Sequence, residues 1–178
     1  MAAILAFAGS NSSTSINHEL IKYTVSLLDN HQVQTLDMSR YPFPMYTADD
    51  EKLKGFSNSL VEFKNYIQYS QGLILSVNEH NGNLSAYFKN LLDWLSRLER
   101  GFLKDTSVFL MSASPGKRGG IGSLGITKEI LPRFGAEIVS SFSLPSFYEA
   151  FKEGSIVDEG LRDQHNKALQ DFLEKLSD

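Results

Sequence analysis

Cysteine is absent from this chain of 178 residues. A disulfide framework, a thiolate nucleophile and a cysteine-ligated metal site are therefore excluded, and the composition is typical of a reducing compartment. Long apolar runs are also lacking, because the opening run from Ala2 to Ala8 is far shorter than the roughly 20 residues that cross a bilayer and has no basic flank. We therefore expect a cytoplasmic protein that does not enter a membrane, and we interpret this run as a buried strand.

An excess of positive charge is missing as well, since the formal net charge is -4. Nucleic-acid binding normally requires a basic surface that displaces counterions, so we expect no nucleic-acid partner. The content of 42% hydrophobic and 21% charged residues is typical of globular proteins rather than of disordered chains. The length suits one domain of ordinary size, and we predict a single domain over residues 1–178.

Five short apolar segments alternate with longer segments of helical period, a pattern typical of βαβ units around a parallel sheet that is covered on both faces. The predicted strands are Ala3–Ala8, Gln32–Met38, Gly72–Val77, Ser107–Ser112 and Glu137–Leu144. The predicted helices are Ile16–Leu28, Leu53–Tyr69, Leu84–Arg100, one that follows Gly120, and Leu161–Leu176. With right-handed crossovers, the simplest architecture is a doubly wound sheet of order 2-1-3-4-5, whose ligand site lies beyond the carboxyl ends of the strands.

The first strand ends in a loop of small polar residues, Gly9 to Asn17, that continues directly into a helix. Backbone N–H groups at a helix N-terminus attract anions, and hydroxyl groups add donors without bulk, so this loop suits a phosphate. Capping of the helix is the alternative, but a cap needs one such residue and the loop offers several. The candidate phosphate ligands are Ser10, Ser12, Ser15 and Asn17.

Two further loops leave the third and fourth strands at the same edge of the predicted sheet. The third-strand loop runs from Asn78 to Asn83, and the fourth-strand loop runs from Ser114 to Gly120. Repeated glycine in the fourth-strand loop lets backbone approach a flat ligand closely. Each loop taken alone fits an ordinary turn, because Gly, Asn and Pro are the common turn residues. Their shared position with the first loop favours one binding site.

These loops resemble those of the NADPH-dependent FMN reductases, a family that reduces flavins, quinones, azo dyes and chromate. The first loop of that family reads roughly Gly-Ser-x-Arg-x-x-Ser-x-Asn, and its third-strand loop and following helix read roughly Pro-Glu-Tyr-Asn-Gly-Ser, then Lys-Asn-x-x-Asp-Trp. The matching residues are Gly9, Ser10, Ser15, Asn17, Glu79, Asn81, Gly82, Lys89, Asn90, Asp93 and Trp94, with Ser114, Pro115, Gly116, Gly119 and Gly120 in the fourth-strand loop. Pro44 and Tyr46 are similar to its second-strand loop.

The resemblance implies a flavodoxin-like fold, FMN as the cofactor and NADPH or NADH as co-substrate. It implies cofactor-binding residues in all three loops, with no catalytic side chain and no metal ligand. They are Ser10, Ser12, Ser15, Ile16, Asn17, Asn78, Glu79, His80, Asn81, Gly82, Ser114, Pro115, Gly116 and Gly119. The chain departs from the family at Ser12, where Arg is common, at Asn78 and His80, which replace Pro and Tyr, and at Ser85-Ala86, which replaces Pro-Gly.

Two other motifs suggest different chemistry. The segment from Gly120 to Gly125 matches the dinucleotide fingerprint GxGxxG, but that fingerprint belongs on the first strand, with an acidic residue about 20 positions later. A serine hydrolase built on Ser123 would need glycine where Ile121 stands. We therefore expect an FMN-dependent NAD(P)H oxidoreductase that reduces a quinone, flavin or similar small acceptor. A flavodoxin-type electron carrier or a regulatory binding module remains the alternative.

Assembly is predicted from the helix over residues 84–100. Beyond its main apolar stripe this helix carries Tyr87, Leu92 and Trp94, more apolar surface than one buried face needs. We expect a partner subunit to cover the rest. The resemblance points the same way, since these reductases commonly form homodimers or homotetramers.

Overall fold

The computed structural model describes residues 3–28 and 30–177, so Ala2 of the predicted opening strand lies outside the described residues. Two kinds of strand are present, sheet strands of five to eight residues and hairpin strands of two. In chain order they are β1 (Ala3–Ala8), β2 (Gln32–Leu36), β3 (Gly72–Val77), β4 (Glu79–His80), β5 (Asn83–Leu84), β6 (Ser107–Ala113), β7 (Glu137–Leu144), β8 (Phe151–Lys152) and β9 (Ser155–Ile156).

The central sheet has the order β2-β1-β3-β6-β7, and every neighbouring pair is parallel. This confirms the predicted order 2-1-3-4-5, because β4 and β5 pair only with each other, as do β8 and β9. All five predicted strands are present. The second strand ends at Leu36 rather than Met38, because the Asp37 carboxylate accepts the Ser39 N–H at 3.0 Å and begins a 3-10 turn over Met38–Arg40.

The helices carry the connections between the strands. They are α1 (Ile16–Ser26), α2 (Ala48–Lys54), α3 (Asn58–Gln68), α4 (Ala86–Leu98), α5 (Ile121–Ile130), α6 (Phe147–Ala150) and α7 (Glu159–Ser177), with a 3-10 turn at Leu131–Phe134. Side-chain oxygens of Ser15, Thr47, Ser57 and Ser85 cap the N-termini of α1 to α4. Such caps satisfy N–H groups that the helix itself leaves free. Among the helices within residues 3–28 and 30–177, none is both long and apolar enough to cross a membrane.

The predicted second helix, Leu53–Tyr69, was wrong as a single element. Gly55 ends α2 with φ 66° and ψ -149°, a conformation that side chains other than glycine rarely adopt. Ser57 then caps the start of α3, where its hydroxyl accepts the Leu60 N–H. The apolar residues of α3 continue the helical spacing of the apolar residues before Gly55. Hydrophobic periodicity alone therefore predicts one continuous helix.

The sheet is covered on both faces, as doubly wound topology requires. On one face Leu5, Leu73 and Leu110 pack against α3, α4 and α5. On the other face Ile4 and Phe109 pack against α1 and α7. Side chains of successive residues alternate between these two clusters, so the inner strands β1, β3 and β6 are mostly apolar, whereas the edge strands β2 and β7 carry polar side chains.

Candidate functional site

Three loops leave the carboxyl ends of the neighbouring strands β1, β3 and β6 and enclose a cleft of about 240 Å³. We call it the central cleft. Its lining includes most of the predicted site residues, together with Thr14, Ala113 and Tyr148, which were not predicted. The predicted residues that line it are Ser10, Ser12, Ser15, Ile16, Asn17, Asn78, Glu79, His80, Ser114 and Pro115. The remaining four, Asn81, Gly82, Gly116 and Gly119, are not part of this lining.

The first loop is organised around the N-terminus of α1. The Ser15 hydroxyl accepts the His18 N–H at 3.3 Å, while the Ser12 N–H donates to the Ser10 hydroxyl, also at 3.3 Å. The backbone N–H groups of Ile16 and Asn17 have no acceptor among residues 3–28 and 30–177. Free N–H groups at a helix N-terminus form an anion site, and the hydroxyls of this loop surround it.

The side chain of Asn17 bridges three elements of the fold. It is 1% exposed; its Nδ2 donates to the Ala113 carbonyl at 3.1 Å, and its Oδ1 accepts from Ala113 N at 2.9 Å and from the Ser76 hydroxyl at 2.7 Å. The amide therefore connects α1 to the carboxyl ends of β3 and β6. Both polar atoms of the amide thus have protein partners, whereas the backbone N–H of Asn17 has no acceptor among the described residues.

The third-strand loop is a hairpin, formed by β4 and β5. Asn81 and Gly82 occupy its two-residue turn with φ of 53° and 71°, the left-handed pair that an Asn-Gly sequence favours. The Glu79 carboxylate accepts the Ser123 N–H at 3.0 Å, at the N-terminus of α5. Because a negative group is favourable at a helix N-terminus, this contact fixes the hairpin against α5.

The GxGxxG motif is explained by this contact. A side chain at Gly122 would bring its Cβ within 2.6 Å of the Glu79 carboxylate and 3.0 Å of the Gly82 carbonyl. Glycine at position 122 therefore allows α5 to approach the hairpin closely, and Gly120 adopts φ 76° at the start of the helix. The motif serves packing of the hairpin rather than dinucleotide binding.

Asn78 and His80 face both the central cleft and a second cleft beside it. The Asn78 Nδ2 lies 3.1 Å from the His80 Nε2, whereas the Asn78 Oδ1 is buried without a hydrogen-bond partner in the described part of the chain. A buried acceptor without a partner is uncommon and costs free energy unless a ligand or water completes it. Asn78 therefore offers an acceptor for a donor group of a bound molecule.

The fourth-strand loop is held by main-chain contacts. The Gly116 carbonyl accepts the Ser146 N–H at 3.0 Å, and the Gly119 carbonyl accepts the hydroxyls of Ser112 and Ser143. Ser146 has φ 47°, a left-handed conformation uncommon for serine, and α6 follows it. Tyr148 of α6 is 62% exposed and reaches the central cleft. No sequence pattern distinguishes this tyrosine from an ordinary surface residue.

The second cleft, of about 400 Å³, adjoins the central cleft, and we call it the lateral cleft. The two share four residues of the first and third-strand loops. The lateral cleft is lined by Ser10, Asn11, Ser12, Phe43, Met45, Asn78, His80, Ser85, Ala86, Tyr87 and Asn90. Phe43 and Met45 belong to the second-strand loop. The residues of that loop that resemble the family are Pro44 and Tyr46.

The surface of α4 that was expected to meet a partner subunit is covered by the chain itself. Trp94 is 5% exposed, and its indole Nε1 donates to the Pro44 carbonyl at 2.8 Å. The Tyr87 hydroxyl donates to the Tyr41 carbonyl at 2.8 Å, and burial raises the pKa of Tyr87. The apolar excess of α4 therefore packs against the segment after β2, and it gives no argument for an oligomer.

Charge is sparse around the central cleft. Among the described residues that line it, none is Lys or Arg, while Lys117 and Arg118 are exposed in the fourth-strand loop. The anion site at α1 is thus built from hydroxyls and backbone N–H groups. With a phosphate as acceptor these hydrogen bonds are charge-assisted even though their donors are neutral.

A family model described as NADPH-dependent FMN reductase matches residues 2–149. The chain belongs to this family. As a member it is an oxidoreductase that uses FMN as cofactor and NADPH or NADH as co-substrate, as predicted from the loops. The family does not favour the alternatives of an electron carrier or a regulatory module.

Relatives of known activity are similar over most of the chain. Subunit CrdA of the NADH:(hydroxy)cinnamate reductase of Vibrio ruber is 26% identical over 175 residues, which are 95% of this chain and 84% of the relative. The quinone reductase of Escherichia coli is 26% identical over 138 residues, 74% of this chain and 72% of the relative. The flavoenzyme FerB, an NAD(P)H:(acceptor) oxidoreductase of Paracoccus denitrificans, superimposes with a TM-score of 0.79 at 22% identity, covering 99% of this chain and 98% of FerB.

The residues of the central cleft fit FMN, which carries a terminal phosphate and a flat polar ring. The free N–H groups of Ile16 and Asn17 match an anion, and the unpartnered Asn78 Oδ1 matches a donor group on a ring. Gly119 serves the fold of the fourth-strand loop instead, because its φ is 60° and a Cβ there would clash with the Ser143 hydroxyl.

Proposed function

We propose that the central cleft binds FMN, with the phosphate at the N-terminus of α1 and the ring between the third-strand and fourth-strand loops. The observation that supports this most is the convergence of three loops from neighbouring strands on one cleft with free N–H groups at one end. Ligands of doubly wound folds bind at this edge of the sheet. The proposed cofactor-binding residues remain those named from the sequence, with Asn17 acting through its backbone N–H.

The chemistry that bound FMN supplies is acceptance of a hydride from the nicotinamide and delivery of two electrons to an acceptor. The protein has to bind the phosphate, orient the ring and leave room for donor and acceptor. Hydroxyls for the phosphate come from Ser10, Ser12 and Ser15. The hydrogen bond from Ser123 to Glu79 fixes the position of the third-strand loop, which lies beside the ring in this proposal. The lateral cleft then leaves space beside the cofactor for the nicotinamide and the acceptor in turn.

A quinone-type acceptor is the one we propose, because relatives from Escherichia coli and Arabidopsis thaliana are a quinone reductase and an NADPH:quinone oxidoreductase. The aromatic side chains of Phe43 and Tyr87 in the lateral cleft suit a flat apolar molecule. Their rings are stacked with centroids 6.5 Å apart. A homodimer or homotetramer, which the family resemblance implies, stays a prediction that sedimentation velocity can test.

The purified chain should be titrated with FMN by quenching of flavin fluorescence, and NADH and NADPH oxidation should then be followed with quinones, free flavin and azo dyes. We expect saturable FMN binding and FMN-dependent quinone reduction. FMN binding without NAD(P)H oxidation would refute the reductase activity and support the carrier. Failure to bind FMN would refute the assignment of the central cleft.

A further inference from the structure

One face of α4 holds the segment that follows β2. Tyr87, Asn90, Trp94 and Arg97 are three or four residues apart, so they lie on the same side of the helix. Each contacts residues between 38 and 51: Tyr87 and Trp94 donate to backbone carbonyls, and Arg97 pairs with Glu51 at 2.9 Å. Hydrogen bonds from Arg97 and then from Tyr46 lower the pKa of Glu51.

Asn90 makes the most specific of these contacts. Its side chain is buried, its Oδ1 accepts the Tyr46 N–H at 2.7 Å, and its Nδ2 donates to the carbonyls of Pro44 at 2.9 Å and Phe43 at 3.4 Å. The Trp94 Nε1 shares the Pro44 carbonyl. A run of irregular backbone that lacks sheet or helix hydrogen bonds thereby obtains its partners from one helix.

This segment separates two spaces. Phe43 and Met45 line the lateral cleft, and Met45 is 66% exposed there. On the other side Phe43 and Pro44 line a cavity of about 190 Å³, whose walls also include Leu60 and Trp94. Because Phe43 contacts both spaces, any displacement of the segment changes the width of the lateral cleft.

We propose that Asn90, which itself lines the lateral cleft, is a positioning residue that fixes Phe43 to Tyr46 as the outer wall of this cleft, and that the wall limits the size of the electron acceptor. The inference rests on the proposed function, since it places the acceptor in the lateral cleft. With the wall fixed, a one-ring quinone contacts Phe43 and Met45, whereas a wider two-ring quinone has to compete with them for space. Without Asn90 the wall can move outward, the small acceptor loses contact and the wide one gains room.

The test variant is Asn90→Leu, which keeps the number and branching of the side-chain heavy atoms, adds bulk and removes all three polar contacts. We expect the ratio of kcat/KM for benzoquinone over naphthoquinone to fall about tenfold, the size of effect that one pocket contact produces. The change should appear in KM rather than in kcat, and the FMN dissociation constant should stay at the wild-type value. Lys89→Ala is the matched control, because Lys89 is the preceding residue of α4 and its exposed side chain pairs with Asp93 alone among the residues that the structure describes.

Placement of the wall can be measured without turnover. Trp94 is the only tryptophan of the chain, and it contacts Pro44. Acrylamide quenching of its fluorescence in the flavin-free chain should increase in Asn90→Leu and not in Lys89→Ala. If Asn90→Leu does not fold, Asn90→Asp serves instead, because it keeps the acceptor for Tyr46 and loses the donor to Pro44 and Phe43.

If Asn90→Leu is active and its ratio of kcat/KM for benzoquinone over naphthoquinone equals that of the wild type, the inference is overturned and the proposed function stays intact. Unchanged quenching of Trp94 would overturn it as well, since Asn90 would then not hold the wall. A wild-type chain that does not oxidise NAD(P)H would instead refute the proposed function, and the acceptor role of Asn90 with it.

Discussion

Replacement of Asn17 by leucine tests whether this residue supports the fold or binds the cofactor through its side chain. Leucine has the same number and branching of side-chain heavy atoms but is bulkier than the amide, so the loss of hydrogen bonds sets a lower limit on the effect. Three buried groups lose their partner: the N–H and carbonyl of Ala113 and the hydroxyl of Ser76. An unsatisfied buried polar group costs about 1–3 kcal/mol, so at the lower end of that range Asn17→Leu should lower the free energy of unfolding by about 3 kcal/mol.

Urea unfolding of the flavin-free chain, followed by circular dichroism, measures this change, and an unaltered m value would show that the unfolded state is the same. Ser76→Ala is the control, since it removes one of the three contacts and should cost about 1 kcal/mol. Below the unfolding transition, Asn17→Leu should still bind FMN, because the backbone N–H is retained. A variant of normal stability that has lost FMN binding would refute this reasoning and make the Asn17 amide a direct ligand.

Three further predictions concern the first loop, the hairpin of the third-strand loop and a buried histidine. Ser15→Glu should weaken FMN binding at least tenfold in fluorescence titrations, because a carboxylate would stand beside the phosphate. Gly122→Ala should lower stability by about 1–3 kcal/mol in urea unfolding, because its Cβ would come within 2.6 Å of the Glu79 carboxylate. Burial lowers the pKa of His165 from its ordinary value of 6.5 to about 4. The unfolded state therefore binds more protons between these pH values, and the free energy of unfolding should fall by about 3 kcal/mol as the pH decreases from 6.5 to 4.

Each of these has a control within the chain. Ser10→Ala should weaken FMN binding less than Ser15→Glu, and equal titrations for both variants and wild type would remove the first loop from the site. Gly125 lies in α5 with open space around it, so Gly125→Ala should stabilise the helix, and a similar loss in both alanine variants would exclude the contact with Glu79. His165→Leu should abolish the pH dependence of the free energy of unfolding between pH 4 and 6.5. A dependence that persists in this variant would show that other titrating groups cause it.

The sheet was predictable because its signal is local. The inner strands are apolar runs with no polar face, and the connections contain helical periods, which together predict a parallel sheet covered on both faces. The hairpin at Glu79 to Leu84 also had a local signal, since Asn81-Gly82 favours a two-residue turn, but its strands of two residues are too short to form a recognisable pattern. The break between α2 and α3 escaped because Gly55 interrupts a period that continues on both sides.

The internal contacts of the site were not predictable, because they join residues far apart in the chain. Asn17 bonds to Ala113 across 96 residues, and the Glu79 carboxylate bonds to Ser123 across 44. Loop composition indicated that these residues lie at one edge of the sheet, which the fold confirms. It could not indicate which of their atoms are already bonded to protein.

Unused hydrogen-bonding capacity distinguishes the polar residues of this edge from one another. Asn17, Asn78 and Asn90 have the same side chain and lie around these two clefts, but both polar atoms of the Asn17 and Asn90 amides have protein partners, whereas the Asn78 Oδ1 has none in the described residues. A satisfied buried amide gains little from a ligand, whereas an unsatisfied acceptor recovers its desolvation cost when a donor arrives. The hydrogen bonds that favour FMN should therefore come from the Asn78 side chain and from the free N–H groups of α1, and the side chains of Asn17 and Asn90 should affect FMN binding through the position of the loops they hold.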